Sequence, residues 1–203
     1  FVLTLLKYAL LIFGAVVALQ QLNINLTSIV ASLGVIGLSI GLAAKDSLSN
    51  VIGGVFIFWD KPFVIGDLIE AGDEYGEVRA ITLRSTRIIT PDGKVVSIPN
   101  SVTINNKIKC YTMEPHLRVD VDVSAPLTLD VDEARKRILS SVVGDQRFLE
   151  TPAPALVVTK VDPTAMNLQL RVWLSESRKH LEVAGELRER AKNLIYFNME
   201  QKD

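Results

Sequence analysis

Five acidic side chains fall within a short stretch near the middle of the chain and could ligate a metal ion. They are Asp67, Glu70, Asp73, Glu74 and Glu77. Carboxylate oxygens are ligands that Ca²⁺ prefers, but a calcium-binding loop places them at fixed alternate positions that this stretch does not reproduce. The acids also lie among turn-forming residues, which is typical of a solvated hairpin. We therefore predict neither a metal site nor a cofactor here.

The other reactive side chains argue against an enzyme. The two histidines, His116 and His180, stand alone at the expected ends of structural elements, without partners at metal-ligand spacing. The chain has no Ser/His/Asp set and no glycine-rich phosphate loop. Its one cysteine, Cys110, permits no disulfide within the chain, which suits a reducing cytoplasm. We predict that the protein is not an enzyme.

The charge pattern gives no reason to expect nucleic acid as a partner. The sequence holds 22 Lys and Arg against 23 Asp and Glu, so no basic surface for a polyanion is predicted. The aromatic and cationic residues of the β-rich region do not form the cluster that RNA modules need. These residues are Tyr75, Arg79, Arg84, Arg87, Lys94 and Tyr111. We predict no nucleic-acid partner.

The elements that position these side chains begin with a strongly apolar N-terminal region. Hydrophobic residues make up 48% of the chain, and the first 44 residues carry a single charge, Lys7. Residues 1–22 and 26–44, at about 1.5 Å rise per residue, are long enough to cross or nearly cross about 30 Å of hydrocarbon. We predict a helical hairpin of two membrane spans with its turn at residues 23–25. The chain begins inside an apolar run, so two spans are a minimum.

The first span has a competing interpretation, a cleaved signal peptide, but no small-residue cleavage site precedes a soluble domain. Lys7 lies near the start of the first span, and Lys45 and Lys61 follow the second. By the positive-inside rule both charged ends face the cytoplasm. The predicted topology is therefore multi-pass, with the C-terminal domains in the cytoplasm.

The second span has two unlike faces. At about 100° per residue, large aliphatic residues share one side. The opposite side carries a leucine stripe between two shoulders of small residues: Leu38 and Leu42, then Gly34, Gly37 and Gly41 on one shoulder and Ala31, Val35 and Ser39 on the other. Small residues let helix backbones approach closely in a membrane. Two such shoulders favour a ring of identical helices, the alternative being a glycine-rich helix buried in a monomeric bundle.

Charge enters the helical pattern at Lys45 and Asp46, each of which costs about 2.5 to 3.5 kcal/mol at the membrane centre on insertion scales. The span therefore ends there. Residues 46–59 keep a helical pattern with one apolar and one polar face, which indicates an interfacial amphipathic helix. Glycine costs about 1 kcal/mol in a helix interior, so the pair Gly53 and Gly54 marks a bend or a close contact.

The rest of the chain predicts two small domains. Residues 61–112 contain short β-rich segments with a hairpin signal at Asp92-Gly93, and their spacing fits a small β-barrel. The predicted strands are residues 64–70, 76–83, 85–90, 95–98 and 104–109. Residues 113–203 follow the order strand, helix, strand, strand, helix, which predicts an α+β unit.

In combination these features resemble one family, the small-conductance mechanosensitive channels (MscS-like channels). The resemblance covers nearly the whole chain in order: Gly34, Gly37 and Gly41 with Leu38 and Leu42, then Ser47-Leu48-Ser49-Asn50, Gly54, Pro62-Phe63 with Gly66-Asp67, and Asp92-Gly93-Lys94 leading to Pro99-Asn100. No single piece is as specific as the combination.

The resemblance implies both a fold and a function. The fold is a multi-domain membrane protein with transmembrane α-helices, a Sm-like small β-barrel and an α+β (ferredoxin-like) cytoplasmic domain, assembled as a homo-oligomer that is typically a heptamer. The function is an ion channel of the inner (cytoplasmic) membrane, opened by tension in the membrane lipid, that releases ions and small solutes on hypoosmotic shock. The alternative is a non-conducting, membrane-anchored scaffold whose cytoplasmic domains bind partners.

The resemblance also suggests roles for single residues. Rings of Leu38 and Leu42 would close the pore by excluding water. Some members carry a hinge glycine where this chain has Asp46, so we predict the hinge at Gly54, with Asn50 one turn earlier as a brace, and expect Gly54→Ala to stabilise a straighter helix. The family usually adds a short strand that closes the floor of the cytoplasmic cage, whereas this sequence ends with residues 196–203 and no such strand.

Overall fold

The structure is a computed structural model that describes residues 2–22 and 25–196. The elements in this part of the chain are α1 (Val2–Gln21), α2 (Thr27–Asp60), β1 (Leu68–Ala71), β2 (Glu74–Ile81), β3 (Ser85–Ile89), β4 (Val95–Pro99), α3 (Asn100–Asn105), β5 (Ile108–Cys110), β6 (Leu117–Ala125), α4 (Val131–Ser140), β7 (Ala155–Val161), β8 (Met166–Leu174), a 3-10 turn (Ser177–Lys179) and α5 (His180–Tyr196). The predicted turn residues Asn23 and Ile24 and the C-terminal residues 197–203 lie outside the described residues.

Helix α2 is continuous across the predicted boundary between a membrane span and an interfacial helix. It is a single α-helix of 34 residues that continues through Lys45 and Asp46. A change from apolar to charged side chains ends a membrane span, but it leaves the backbone hydrogen bonds of a helix intact. The helix ends at Asp60, and the capping residue Lys61 has a left-handed backbone (φ 47°) and donates its N–H to the Ile57 carbonyl at 3.0 Å. Pro62 follows and cannot continue the helix.

Both N-terminal helices are apolar, and α2 is the longer. Helix α2 is long and apolar enough to cross a membrane, with a mean hydropathy of 1.9 in its most apolar part. Helix α1 has 20 residues, which is about the length of a single crossing. The topology of two membrane spans stays a prediction.

The β domain is a five-stranded antiparallel sheet with the strand order β4-β3-β2-β1-β5. The predicted hairpin at Asp92-Gly93 is confirmed, because these residues join β3 to β4 and Gly93 takes the positive φ of 82° that such a turn uses. The described sheet is open, with β4 and β5 at its edges. It therefore has the strand content of a small barrel without a β4–β5 pair that would close one.

The core of the β domain includes a residue of the long helix. Its buried side chains come from all of the first four strands, from the loop before β1 and from α2: Ile57, Phe63, Ile69, Ala71, Val78, Ile88 and Ile98. Ile57 is only 1% exposed. Since packed cores resist small displacements, the last two turns of α2 form one rigid unit with the β domain.

Helix α3 replaces the first part of the strand predicted at residues 104–109. The segment is rich in β-branched residues, which favour strands, but tertiary contacts override that preference. Thr103 bonds back to the Pro99 carbonyl at 3.2 Å, and α2 supplies the cap that Pro99 lacks, as described below. The remaining strand, β5, has three residues and pairs with β1.

The C-terminal domain has two helices, α4 and α5, on a three-stranded antiparallel sheet with the order β6-β8-β7. The central strand, β8, alternates buried and half-buried positions along its whole length, as expected for a strand with one face on a core. Asp130 caps α4 by accepting hydrogen bonds from the N–H groups of Asp132 and Glu133. The predicted α+β order of elements is confirmed; a fourth strand of a ferredoxin-like sheet does not occur in the described residues.

Candidate functional site on helix α2

The N-terminal part of α2 carries the predicted pore-lining and packing residues, and these are exposed in the described chain. Leu38 and Leu42 are each 65% exposed, one turn apart on an exposed helix. The small residues beside them are also exposed: Ala31, Gly34, Val35, Gly37, Ser39 and Gly41. A Cβ built on any of the three glycines would meet nothing within 4 Å. No contact at these glycines within the described chain therefore explains why small residues occupy these positions.

Two serine side chains in this part of α2 are satisfied within the helix. Ser32 donates its hydroxyl to the Ser28 carbonyl at 2.8 Å, and Ser39 donates to the Val35 carbonyl at 2.9 Å. Hydroxyls bonded back to the preceding turn leave no free donor to face hydrocarbon. The helix can therefore lie against lipid or against a second helix.

The C-terminal part of α2 is held to the β domain by Asn50. Its Oδ1 accepts hydrogen bonds from the Ser101 N–H at 3.0 Å and the Ser101 hydroxyl at 2.8 Å. Its Nδ2 donates to the Asp46 carbonyl at 2.8 Å. Pro99, at the N-cap of α3, has no side-chain acceptor, so Asn50 performs the capping role from another helix. The partner of Asn50 in the described chain is α3, and its role as a brace between neighbouring helices stays a prediction.

This cap leads to a testable prediction. Replacing Asn50 with alanine should cost about 1 kcal/mol, a typical value for a lost helix cap, and should therefore speed hydrogen exchange of the Ser101 amide several-fold. Asn50→Asp keeps the acceptor oxygen and should retain most of the protection. Equal exchange rates at Ser101 in the wild type and in Asn50→Ala would contradict the assignment.

Gly53 and Gly54 are explained by a close contact rather than by a break in the helix. A Cβ on Gly54 would lie 2.5 Å from the Leu83 carbonyl oxygen and 2.7 Å from Asn100 Nδ2. A Cβ on Gly53 would lie 2.9 Å from the Asn100 carbonyl carbon. The α-helix is uninterrupted at this pair. The expectation that Gly54→Ala would stabilise the helix is wrong, because the added methyl group would collide with backbone.

Asn100 is the central residue of this contact and sequence analysis did not single out its role. It is fully buried, and it donates Nδ2 to the Thr82 carbonyl at 2.9 Å and accepts from the Thr86 hydroxyl at 3.0 Å. Its own N–H donates to the Arg84 carbonyl at 3.0 Å. A buried amide with every group bonded fixes the surrounding loops. The only sequence signal was the Pro99-Asn100 pair in the family pattern.

An apolar cavity of about 700 Å³ lies at the same junction. It is bounded by the last turns of α2, by the segment that leads into β1 and by the loop after β2; its lining includes Val55, Phe58, Phe63, Ile65, Ile81 and Leu83. Phe58 and Ile65 are mostly exposed. The junction thus presents an apolar surface beside an apolar opening.

Among the described residues, no group of three or more His, Cys, Asp and Glu side chains is placed to hold a metal ion. His180, which the sequence left isolated, is instead buried between the two domains. Its ring stacks on Tyr111 at 4.8 Å, and its Nε2 lies 3.3 Å from the Tyr75 hydroxyl. Burial, and then the hydrogen bond to Glu70, raise the pKa of Tyr111 to about 12.

The fold and the site define a class of protein. A long apolar helix with an unpartnered face of small residues and leucines runs without a break into the core of a β domain, which a small α+β domain follows. The comparisons with known proteins agree with this class. The family described as "Mechanosensitive ion channel, transmembrane helices 2/3" matches residues 4–45, and the one described as "Mechanosensitive ion channel, beta-domain" matches residues 46–113.

Individual relatives point the same way. The chain is 34% identical over 174 residues to the small-conductance mechanosensitive channel of Edwardsiella ictaluri, covering 85% of this chain and 60% of that protein. It is 33% identical over 167 residues to an MscS family protein of Synechocystis, covering 82% of this chain and 56% of that protein. Among solved structures, the closed state of Helicobacter pylori MscS superposes with a TM-score of 0.77 at 26% identity, covering 94% of this chain and 76% of that one.

The chain belongs to the MscS family of mechanosensitive channels. That family is one of membrane ion channels, not of enzymes. The chain spans 56% and 62% of the length of the first two curated relatives it matches.

Proposed function

We propose that this protein forms a homo-oligomeric ion channel that membrane tension opens, with α2 lining the pore. One observation carries the proposal. The leucine stripe and small-residue shoulders of α2 are exposed in the described chain, and its shoulder glycines have open space around them. The same helix is fixed at its other end in a folded domain. A ring of identical α2 helices gives that face its missing partners and places Leu38 and Leu42 toward a common axis.

The gate of this channel is the leucine stripe. In a closed ring, successive layers of Leu38 and Leu42 form a neck lined only by methyl groups. Water leaves a sufficiently narrow apolar neck, and ions cannot shed their hydration to cross it. Opening requires the helices to separate until the neck is wet. The small residues on the two shoulders assist opening because they allow neighbouring helices to pack in two arrangements.

The anchor of α2 determines where the helix can bend during gating. Asn50, Gly53 and Gly54 are bound to α3 and to the β2–β3 loop, so the part of α2 that contains them moves with the β domain. The joint between the pore and this anchor therefore lies before Asn50, near Lys45 and Asp46. This replaces the hinge predicted at Gly54, although Asp46 has no special backbone freedom.

The proposal also covers the location of the channel in the membrane and the solutes that pass through it. The channel lies in the inner membrane, with its β and α+β domains in the cytoplasm and with α1 in contact with lipid outside the ring. Tension favours the state of larger membrane area, and the apolar cavity at the α2 junction gives acyl chains a second place to act on the helix. The permeants are ions and small solutes, the assembly is a heptamer, and no nucleic acid takes part.

Survival of a hypoosmotic shock tests the proposal in cells. Cells without tension-gated channels lyse when external osmolarity falls, and producing this protein in them should raise survival and accelerate solute release. The alternative function, a non-conducting membrane scaffold, predicts no change in either quantity. Membrane insertion must be checked by fractionation in both cases.

Assembly gives a prediction of its own. Gly37→Leu or Ala31→Leu places bulk on a shoulder and should hold neighbouring helices apart, which lowers the yield of the oligomer or shifts its gating tension. Ile36→Leu, on the large aliphatic face, should be nearly silent. Native mass spectrometry in detergent measures the subunit number, which we expect to be seven. Equal effects of all three substitutions would instead indicate a helix buried in a monomeric bundle.

A further inference from the structure

A cleft of about 280 Å³ lies where the β domain meets the start of α5, and side chains of both domains line it. Arg178, from the 3-10 turn before α5, reaches across and donates Nη2 to the Gly66 carbonyl of the β domain at 2.7 Å. Arg79 and Glu77 of β2 face the cleft from the other side. This volume is slightly below the range typical of drug-sized ligands, so it suits a small metabolite.

The cations of this cleft outnumber their carboxylate. Arg79 Nη1 lies 3.7 Å from Glu77 Oε1, and Arg178 Nη1 lies 3.5 Å from Glu77 Oε2. Charge-assisted hydrogen bonds are about 2.7 to 2.9 Å long, so two guanidinium groups share one carboxylate without a direct hydrogen bond to it. In the described residues, Arg79 has no other charged partner.

Another arginine of the same chain shows what full pairing looks like. Arg147 donates to both oxygens of Asp145 and to both oxygens of Glu186, with shortest contacts of 2.7 Å to each residue. Its guanidinium therefore has a carboxylate on two sides. The two arginines of the cleft, by contrast, are about half exposed and lie 3.5 Å or more from their carboxylate. Planar guanidinium donors match carboxylate and phosphate oxygens.

We propose that this cleft binds an oxyanion, the carboxylate or phosphate group of a small molecule with a short apolar part, and that the bound anion fastens the α+β domain to the β domain. Arg79 and Arg178 hold the oxyanion from opposite domains. The apolar part lies against a wall formed by Leu68, Ile89, Pro91 and Leu181. Glu77 competes with the ligand for both guanidinium groups and keeps the affinity modest.

Ligand-observed NMR titration tests the proposal on the full chain in detergent, with butyl phosphate, butyrate and inorganic phosphate as probes. The wild type should bind butyl phosphate or butyrate more tightly than inorganic phosphate, and added KCl should weaken binding because both arginines are about half exposed. The two alkyl probes distinguish a phosphate ligand from a carboxylate ligand. Conduction plays no part in the measurement, so its outcome is independent of the channel activity proposed above.

Single substitutions in the cleft should change the affinity for the ligand in opposite directions. Arg79→Gln and Arg178→Gln should each weaken binding about tenfold, whereas Glu77→Gln should tighten it because the competing carboxylate is gone. Arg79→Gln leaves the Arg178 contact with Gly66 in place, so it separates loss of the ligand from loss of domain docking. Arg118→Gln, which removes a cation paired with Asp120 on β6, is the matched control and should change nothing. Absence of binding in the wild type, or weaker binding in Glu77→Gln, overturns the proposal.

Discussion

Replacing Gly54 with alanine should destabilise the junction between α2 and the β domain by about 1 to 3 kcal/mol, the usual cost of forcing a methyl group into a packed site. The new Cβ would lie 2.5 Å from the Leu83 carbonyl oxygen. A backbone atom held in a loop cannot swing aside as a flexible side chain can. Either α2 or the β2–β3 loop must therefore move, and the contact with Asn100 is lost with it.

Chemical unfolding of the purified chain, followed by circular dichroism, measures this effect. The matched control is Gly185→Ala in α5, where an added Cβ meets nothing within 4 Å. Alanine should stabilise that helix by roughly 0.5 to 1 kcal/mol. The two substitutions are chemically identical, so a stabilisation by both would show that the close contact at Gly54 is not rigid.

Replacing Leu38 or Leu42 with serine should produce a channel that leaks at rest. A hydroxyl from every subunit gives water hydrogen-bonding partners at the neck, so the closed pore stays hydrated and ions can pass. Cells that produce either variant should grow slowly and should recover when the external medium matches the osmolarity of the cytoplasm. In patches, the resting current should rise and the threshold tension should fall.

Ile40→Ser is the control for this experiment. It makes the same type of change on the opposite, large aliphatic face of α2, where the hydroxyl can bond back to the preceding turn as Ser32 and Ser39 do. Its resting current should match that of the wild type. Normal resting currents and threshold tensions in both leucine variants would show that Leu38 and Leu42 do not form the gate.

The sequence predicted the features that depend on neighbouring residues. The hairpin turn at Gly93 and the order of strands and helices in the C-terminal domain follow from local backbone and side-chain preferences. Helix α3 was missed because its cap, Asn50, lies 51 residues earlier in the chain. A cap so distant leaves no local signal, and the β-branched residues of α3 indicated a strand instead.

In the candidate site, too, the sequence predicted what depends on neighbouring residues but not what depends on distant contacts. Sequence left two explanations for Gly53 and Gly54, a bend or a close contact, and the choice depended on where Leu83 and Asn100 lie in space. For Leu38 and Leu42 the face could be derived from helical spacing alone. Their partners, in the proposed assembly, are the same residues of other subunits, so a single chain leaves that face open.

Patch recording from liposomes that contain only the purified protein is the most direct test of whether membrane tension opens a pore formed by this protein. Native mass spectrometry first verifies the oligomeric state of the protein, and flotation verifies that the protein is incorporated into the liposomes. We expect stepwise current openings that begin at a reproducible suction and close when the suction is released. Silent patches up to the tension that ruptures the membrane, with the oligomer present, would contradict it.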